Sequence, residues 1–377
     1  MRGELDPGHI DCSPVVEVLE RQRADGLHDC AQVYVSLAGE ALLDTAVGES
    51  KPGRALRTDD VMLWYSSGKP LTTVAVLRLW EQGRLGLDDR IAQYVDGWGN
   101  GKETCTIRHV LIHTGGFPMY GSTDFDTDLD SPTVLARIAA TPAAWEPGTK
   151  AGYHPVTGWK VLGAVVEAVD GRPIETYLRE EILDPLGAVT SSLGVTRERQ
   201  EELGDALVPV AWKGHRFPVV EDDGGLRMVP YRIDQVHNLP WHVAKVEPGA
   251  SMRGPARDLG VFYEALLGFG PTLLEPRTVE VMGAVHRHDL RDAVFGLATP
   301  WGLGVTVDLS GGAGRRAFGH GGMASSRGFA DPDLGLAAVV VCNGLANPIA
   351  AEQRLVEFTD TVYRALGEPA ERFRRPR

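Results

Sequence analysis

The chain has 377 residues, 43% hydrophobic and 24% charged, enough for one large domain or two ordinary ones around a sizeable core. Its formal net charge is −13, and only 7 of its 38 basic residues are lysine. An acidic chain with no basic stripe argues against nucleic acid or an anionic membrane as a partner.

The opening stretch, MRGELDPGHIDCSP, lacks the apolar run of a secretory signal, and no window approaches the roughly 18 apolar residues that span a bilayer. A cytoplasmic protein is expected. Residues 14–25 carry helical periodicity, and residues 31–49 are two strand-like runs joined at Gly39-Glu40, the pattern of a hairpin. From Pro70 to Gln82 the spacing of Val74, Leu77 and Trp80 predicts a helix with one apolar face. TIRHVLIHTGG reads as a short helix closed by Gly115-Gly116. Residues 156–171, 173–183 and 256–270 are amphipathic helices bounded by Gly and Pro.

Between these helices, residues 205–250 are irregular, rich in Pro, Trp and His, with an acidic cluster at Glu221-Asp222-Asp223. Such a stretch is either a surface excursion or a lid or pocket wall, to which Trp212, His237, Trp241 and His242 could contribute. After residue 300 the chain turns strand-like in WGLGVTVDL, RRAFGHGG, SSRGFADP and LGLAAVVVCNGL, and a final helix closes it. The run Arg372, Arg374, Arg375 and Arg377 belongs to a C-terminal tail. Strands and helices at both ends around a helical middle predict an α+β fold: an antiparallel sheet with terminal helices, plus an inserted all-helical domain. The expected boundaries are 1–65 with 285–377 for the sheet domain and 66–284 for the helical one, with 205–250 as its lid-like part. A cleft is expected where the two meet.

Several chemistries fail on spacing. Gly68-Lys69 is not a phosphate loop, because Leu63 and Pro70 stand where that motif needs Gly and Ser or Thr. No HExxH and no GxSxG occurs. The four cysteines (Cys12, Cys30, Cys105, Cys342) are dispersed, so neither a disulfide framework nor a zinc site is expected, and no metal or organic cofactor is implied. What remains is Ser66-x-x-Lys69. On the first turn of a helix, positions i and i+3 share a face, so the lysine nitrogen lies beside the hydroxyl. The helix N-terminus favours the charge a serine develops on losing its proton, and Pro70 is tolerated only near a helix start. The four-residue motif is unspecific by itself.

Its context is specific. YSSGKPLTTVAVLRLWEQGRLGLDDRIAQYV with TIRHVLIHTGGFP, then WEPGTKAGYHPVTGWKVLGAVVEAVDGRPIETYLREEILDPLG, EPGASMRGPARDLGVFYEALL and FGHGGMASSRGFADPDLGLAAVVVCN, stand in one order. Together they resemble the serine β-lactamase and penicillin-recognising superfamily, within it the class C-like branch of family VIII carboxylesterases, D-aminopeptidases and acyltransferases. The resemblance runs from about residue 15 to residue 366. It implies that Ser66 is the nucleophile, Lys69 its partner and Tyr153 the general base. A phenol of pKa near ~10 is a poor base at neutral pH, and a Lys69 cation beside it is expected to favour the phenolate. His320-Gly321-Gly322 takes the place of the K-T-G strand, and the N–H groups of Met323 and Ser66 are expected to form the oxyanion hole.

Two departures bear on the substrate. The Y-x-N motif reads Tyr153-His154-Pro155, so the asparagine amide is missing; His154 either takes its place or packs. With H-G-G for K-T-G, no lysine pairs with a β-lactam or D-alanine carboxylate. These changes favour a cofactor-independent esterase or transacylase that forms an acyl-Ser66 intermediate from a small-molecule ester or activated acyl substrate. Water, an amine or an alcohol would accept the acyl group. A β-lactamase or D-aminopeptidase-type hydrolase is the enzymatic alternative, and a non-catalytic binding protein that keeps the fold is the alternative from another class.

Overall fold

The computed structural model describes residues 10–367 apart from 118–126, 221–225, 295, 308, 310–312 and 324. The Glu221–Asp223 cluster and the arginines from 372 onward lie outside the described residues. The expected hairpin forms from strands Cys30–Leu37 and Glu40–Lys51, with its turn one residue earlier than expected. Ala38 and Gly39 occupy it with φ of 51° and 82°, the double left-handed turn that matches the twist of paired strands.

That hairpin sits within a six-stranded sheet. From one edge the order is Phe318–Gly322, Ser326–Asp331, Leu336–Cys342, Cys30–Leu37, Glu40–Lys51 and Arg54–Ala55, and the described pairings are antiparallel. Alternation along the strands supplies both cores. Val33, Val35, Ala338 and Val340 face the terminal helices Ser13–Ala24 and Pro348–Ala365 through Val15, Leu19, Leu355, Phe358 and Val362. Tyr34, Val339 and Val341 face the other way, toward Leu259 and Tyr263 of helix Ala256–Leu266. The Tyr34 hydroxyl also donates to Glu264 Oε1 at 2.8 Å. Helix 256–266, assigned with the helical part on its periodicity, therefore packs on the sheet. Its apolar stripe finds the strand face that the terminal helices leave uncovered.

Helix Lys69–Glu81 runs through the centre of the helical part. Its positions 69–77 and 79 are all buried, while Trp80 is half-buried, so it has no single apolar face. Helices on several sides bury it, which a one-face pattern does not anticipate. Helix Thr157–Asp170 packs against it, and Trp159 Nε1 donates to the Lys69 carbonyl at 2.9 Å. Gly171 ends that helix in the left-handed conformation, φ 90°. Helix Ser131–Ala140, capped by the Asp130 side chain, was not anticipated although its Asp-Ser-Pro start is a capping signal.

The stretch 205–250 is more regular than its composition suggests. Ala211–Lys213 pairs in parallel with Gly344–Ala346, Arg216–Val220 and Leu226–Pro230 form a hairpin, and Asp234–His237 and Pro240–Val243 are single helical turns. Among the described residues of 301–309 the expected strand is not built; Trp301 and Thr306 make isolated bridges. Gly304 breaks the run with φ +66°, and a Cβ there would lie 2.0 Å from Thr73 Oγ1 on the central helix. Among the described residues, no helix is long and apolar enough to cross a membrane.

Candidate active site

Ser66 lies in the tight turn Tyr65–Gly68, which runs directly into helix Lys69–Glu81. Pro70 in the first helical turn needs no amide partner, so the turn and helix join without a lost hydrogen bond. The preceding Tyr65 has φ +50°, a conformation rare for a non-glycine residue. The turn is stapled to the sheet edge. Ser67 Oγ donates to the His320 carbonyl at 3.0 Å and lies 2.9 Å from Ser326 Oγ, which donates to the Trp64 carbonyl at 2.6 Å. Gly322 permits this approach, since a Cβ there would come within 2.3 Å of the Trp64 carbonyl.

Two groups converge on Ser66 Oγ. Lys69 Nζ and the Tyr153 hydroxyl each lie 3.0 Å from it. The i, i+3 spacing places Lys69 there. Tyr153 arrives from a segment whose backbone N–H donates to Asp292 Oδ1 at 3.1 Å. Lys69 is fully buried, and its Nζ also lies 2.6 Å from both the Pro155 and the Gly249 carbonyl oxygens. Burial lowers this lysine to about 7, with Glu247 acting in the opposite sense. Burial raises the Tyr153 phenol above its ordinary value, against the lowering effect of its bond to Ser66. The expectation that a Lys69 cation favours a Tyr153 phenolate therefore meets the opposite trend. In a dry site both groups are pushed toward their neutral forms.

His320 is buried 6.1 Å from the Tyr153 ring, with Nδ1 2.6 Å from the Gly321 carbonyl and no hydrogen-bond partner on Nε2. Burial and the nearby Lys69 hold it neutral, at about 3. The His154 backbone N–H donates to His113 Nδ1 at 3.0 Å, the two Nδ1 atoms are 3.2 Å apart, and Phe117 packs on the ring at 4.4 Å. His154 packs against His113 and Phe117. Met323 follows strand Phe318–Gly322 and packs with Leu63, Tyr65, Val210, Ile233 and Leu345.

The residues suggested as a pocket wall make the following contacts. His237 is buried with Nδ1 2.9 Å from the Tyr65 hydroxyl, and His242 stacks on it at 4.1 Å. Trp212 Nε1 donates to the His215 carbonyl beneath the Arg232 guanidinium, and Trp241 meets His242 and the Lys245 ammonium. Both tryptophans thus tie the 205–250 stretch to itself. Asp292, Arg287, His113 and Trp301 were missed. Arg287 Nη1 lies 3.4 Å from Asp292 Oδ2 and donates to the Ile112 carbonyl, while the His113 and Trp301 rings stand 4.7 and 5.9 Å from that of Tyr153. His113 lies in the quoted HTGG run, but nothing in its spacing marks it as a neighbour of Tyr153.

A serine hydroxyl bracketed by an amine and a phenol is arranged for proton transfer to and from one oxygen. The Beta-lactamase family model matches residues 16–358, and the chain belongs to that family. It is a serine hydrolase of the β-lactamase superfamily. Esterase EstB of Burkholderia gladioli is 28% identical over 380 residues, spanning 88% of this chain and 90% of that protein. Esterase/beta-lactamase LipL of Mycobacterium tuberculosis is 29% identical over 314 residues, 77% of this chain and 71% of the relative. The crystal structure of a penicillin-binding protein homologue from Caulobacter crescentus superposes with a TM-score of 0.79 at 26% identity, covering 94% of this chain and 97% of that one.

Proposed function

We propose that the protein is an esterase or transacylase that needs no cofactor, in which Ser66 takes the acyl group of a small ester and passes it to water, an amine or an alcohol. The observation that carries this reading is the placing of Lys69 Nζ and the Tyr153 hydroxyl at 3.0 Å from one serine oxygen. The relative EstB is named an esterase and LipL an esterase/beta-lactamase, which supports the ester part of this reading.

With Lys69 at about 7, much of it is free amine at neutral pH. Its two N–H bonds go to the Pro155 and Gly249 carbonyls, which leaves the lone pair toward Ser66 Oγ. Lys69 takes the Ser66 proton as the oxygen attacks the ester carbonyl, while Tyr153 remains a phenol that donates to that oxygen. This assigns the first transfer to Lys69 rather than to a Tyr153 phenolate. The proton held by the pair then passes to the departing alkoxide, and the same groups activate the acceptor when the acyl-enzyme is resolved. The backbone N–H groups of Ser66 and Met323 are the proposed donors to the oxyanion. An ester suits the site better than a β-lactam. His154 faces His113 instead of replacing the missing amide, and the neutral His320 offers no charge to a substrate carboxylate.

Incubation with a fluorophosphonate tests this. One phosphonyl group is expected on the peptide that holds Ser66; undiminished labelling of Ser66→Ala would end the mechanism, and a wild type that takes no label would favour a binding protein.

A further inference from the structure

The turn Glu247–Ser251 carries a buried charge that the reaction, as proposed, does not use. Glu247 is 1% exposed and its Oε2 lies 3.0 Å from the Nζ of Lys160, itself 5% exposed. Lys160 Nζ also donates to the Val246 carbonyl at 2.8 Å and to Ser131 Oγ at 2.9 Å, while Glu247 Oε1 has no hydrogen-bond partner among the described residues. Apolar groups of similar volume often replace such a pair without loss of stability, so stability alone is a poor reason for it.

Its position supplies another reason. Ala250 N and Ser251 N both donate to the Glu247 carbonyl at 2.9 Å, and Glu247 N donates to Ser251 Oγ at 2.8 Å. The turn so formed offers the Pro248 carbonyl to Thr72 Oγ1 at 3.3 Å and the Gly249 carbonyl to Lys69 Nζ at 2.6 Å. Lys160 follows Trp159, whose indole N–H holds the Lys69 carbonyl at 2.9 Å. One helix therefore grips Lys69 at both ends, its backbone through Trp159 and its amine through Lys160 and the turn.

We propose that Glu247, held by Lys160, is a positioning residue for Lys69: it fixes the turn whose Gly249 carbonyl takes one Nζ–H. The inference rests on Lys69 acting as the base for Ser66. The other titratable groups around Lys69 are Tyr153, His113, His154 and His320, and burial keeps each of them neutral. Burial drives Lys69 toward the amine, and Glu247 is the charge that opposes it. The pair thus sets how much free amine is present at a given pH.

The rate of fluorophosphonate labelling of Ser66 as a function of pH tests this without knowledge of the natural substrate. In wild type the rate is expected to rise through pH ~7 as Lys69 loses its proton. Glu247→Gln is expected to move that rise down by about half a pH unit or more, because the ammonium loses its favourable charge. Glu247→Asp keeps the charge and should stay near wild type. The double variant Lys160→Met, Glu247→Leu leaves no lone buried charge and should show the same downward move. A midpoint unmoved in Gln and double variants that still label would overturn the proposal while leaving Ser66 as the nucleophile. Loss of the fold in all variants would assign the pair to stability and overturn it equally. A wild type that does not label at Ser66 would remove the underlying reading, and the inference with it.

Discussion

The Tyr65 hydroxyl and His237 Nδ1 are 2.9 Å apart, although 172 positions separate the two residues. Tyr65 immediately precedes Ser66 and holds φ +50°, which costs about 1–3 kcal/mol for a non-glycine residue and persists only where its surroundings enforce it. His237 comes from the 205–250 stretch, and the Arg253 guanidinium donates to its carbonyl at 3.2 Å. That stretch is therefore fastened to the turn that carries Ser66.

Tyr65→Phe keeps the ring in its packing and removes the fastening hydroxyl. The expected result is a loss of about 1 kcal/mol in urea unfolding, the usual contribution of one buried hydrogen bond. A several-fold slower labelling of Ser66 should accompany it. Unchanged labelling with reduced stability would mean that the turn holds its shape without His237.

Tyr153→Phe and Lys69→Ala test the two groups on the serine oxygen. Loss of a general acid or base costs about 10² to 10⁴-fold in rate. Tyr153→Phe should fold normally, since Trp301, His113 and His320 still surround the ring. Lys69→Ala should also be less stable, because the Pro155 and Gly249 carbonyls lose their donor. Full activity of either variant on a p-nitrophenyl ester would strip that residue of its role.

How far the sequence speaks for these contacts depends on their range. Ser66 and Lys69 share one helical turn, so their spacing alone places them together. Tyr153 stands 87 positions from Ser66, and only the resemblance of AGYHP to a family motif pointed to it. Asp292 is 139 positions from Tyr153 and Glu247 lies in a turn of common residues, so nothing local marks either one. The strands were legible as apolar runs, in which Val33, Val35, Ala338 and Val340 face one core and Tyr34, Val339 and Val341 the other. The run 301–309 looked equally strand-like, but Gly304 bends it onto Thr73, a tertiary contact that no periodicity reports.

Acid should unfold this protein early. His28, His154 and His320 are held at about 3 and His242 at about 2, in each case chiefly by burial. In the unfolded chain they protonate near ~6.5, so between that pH and about 3 the unfolded state binds more protons. Stability is therefore full above ~6.5 and falls as the pH drops, by up to about 1.4 kcal/mol per histidine per pH unit. The urea midpoint should decline steeply between pH 6.5 and pH 5. A midpoint flat across that range would show that the rings take up protons without leaving the fold.

The acceptor of the acyl group is decided by what reaches the acyl-enzyme first. A β-lactamase orients its substrate through a side-chain amide and a cation, then admits water quickly. Here position 155 is proline, His154 is turned onto His113, and His320 is neutral beside a buried Tyr153. Nitrocefin turnover is therefore expected to be negligible while short-chain p-nitrophenyl esters are cleaved. An amine or alcohol held beside the acyl-enzyme is expected to compete with water for it. Rising acceptor concentration should then accelerate release of p-nitrophenol and move the acyl group into an amide or ester product, read by mass spectrometry. Efficient nitrocefin hydrolysis would restore the β-lactamase reading. Free acid as the product with every amine and alcohol tried would leave a plain esterase, its acyl-enzyme open to water and to nothing larger.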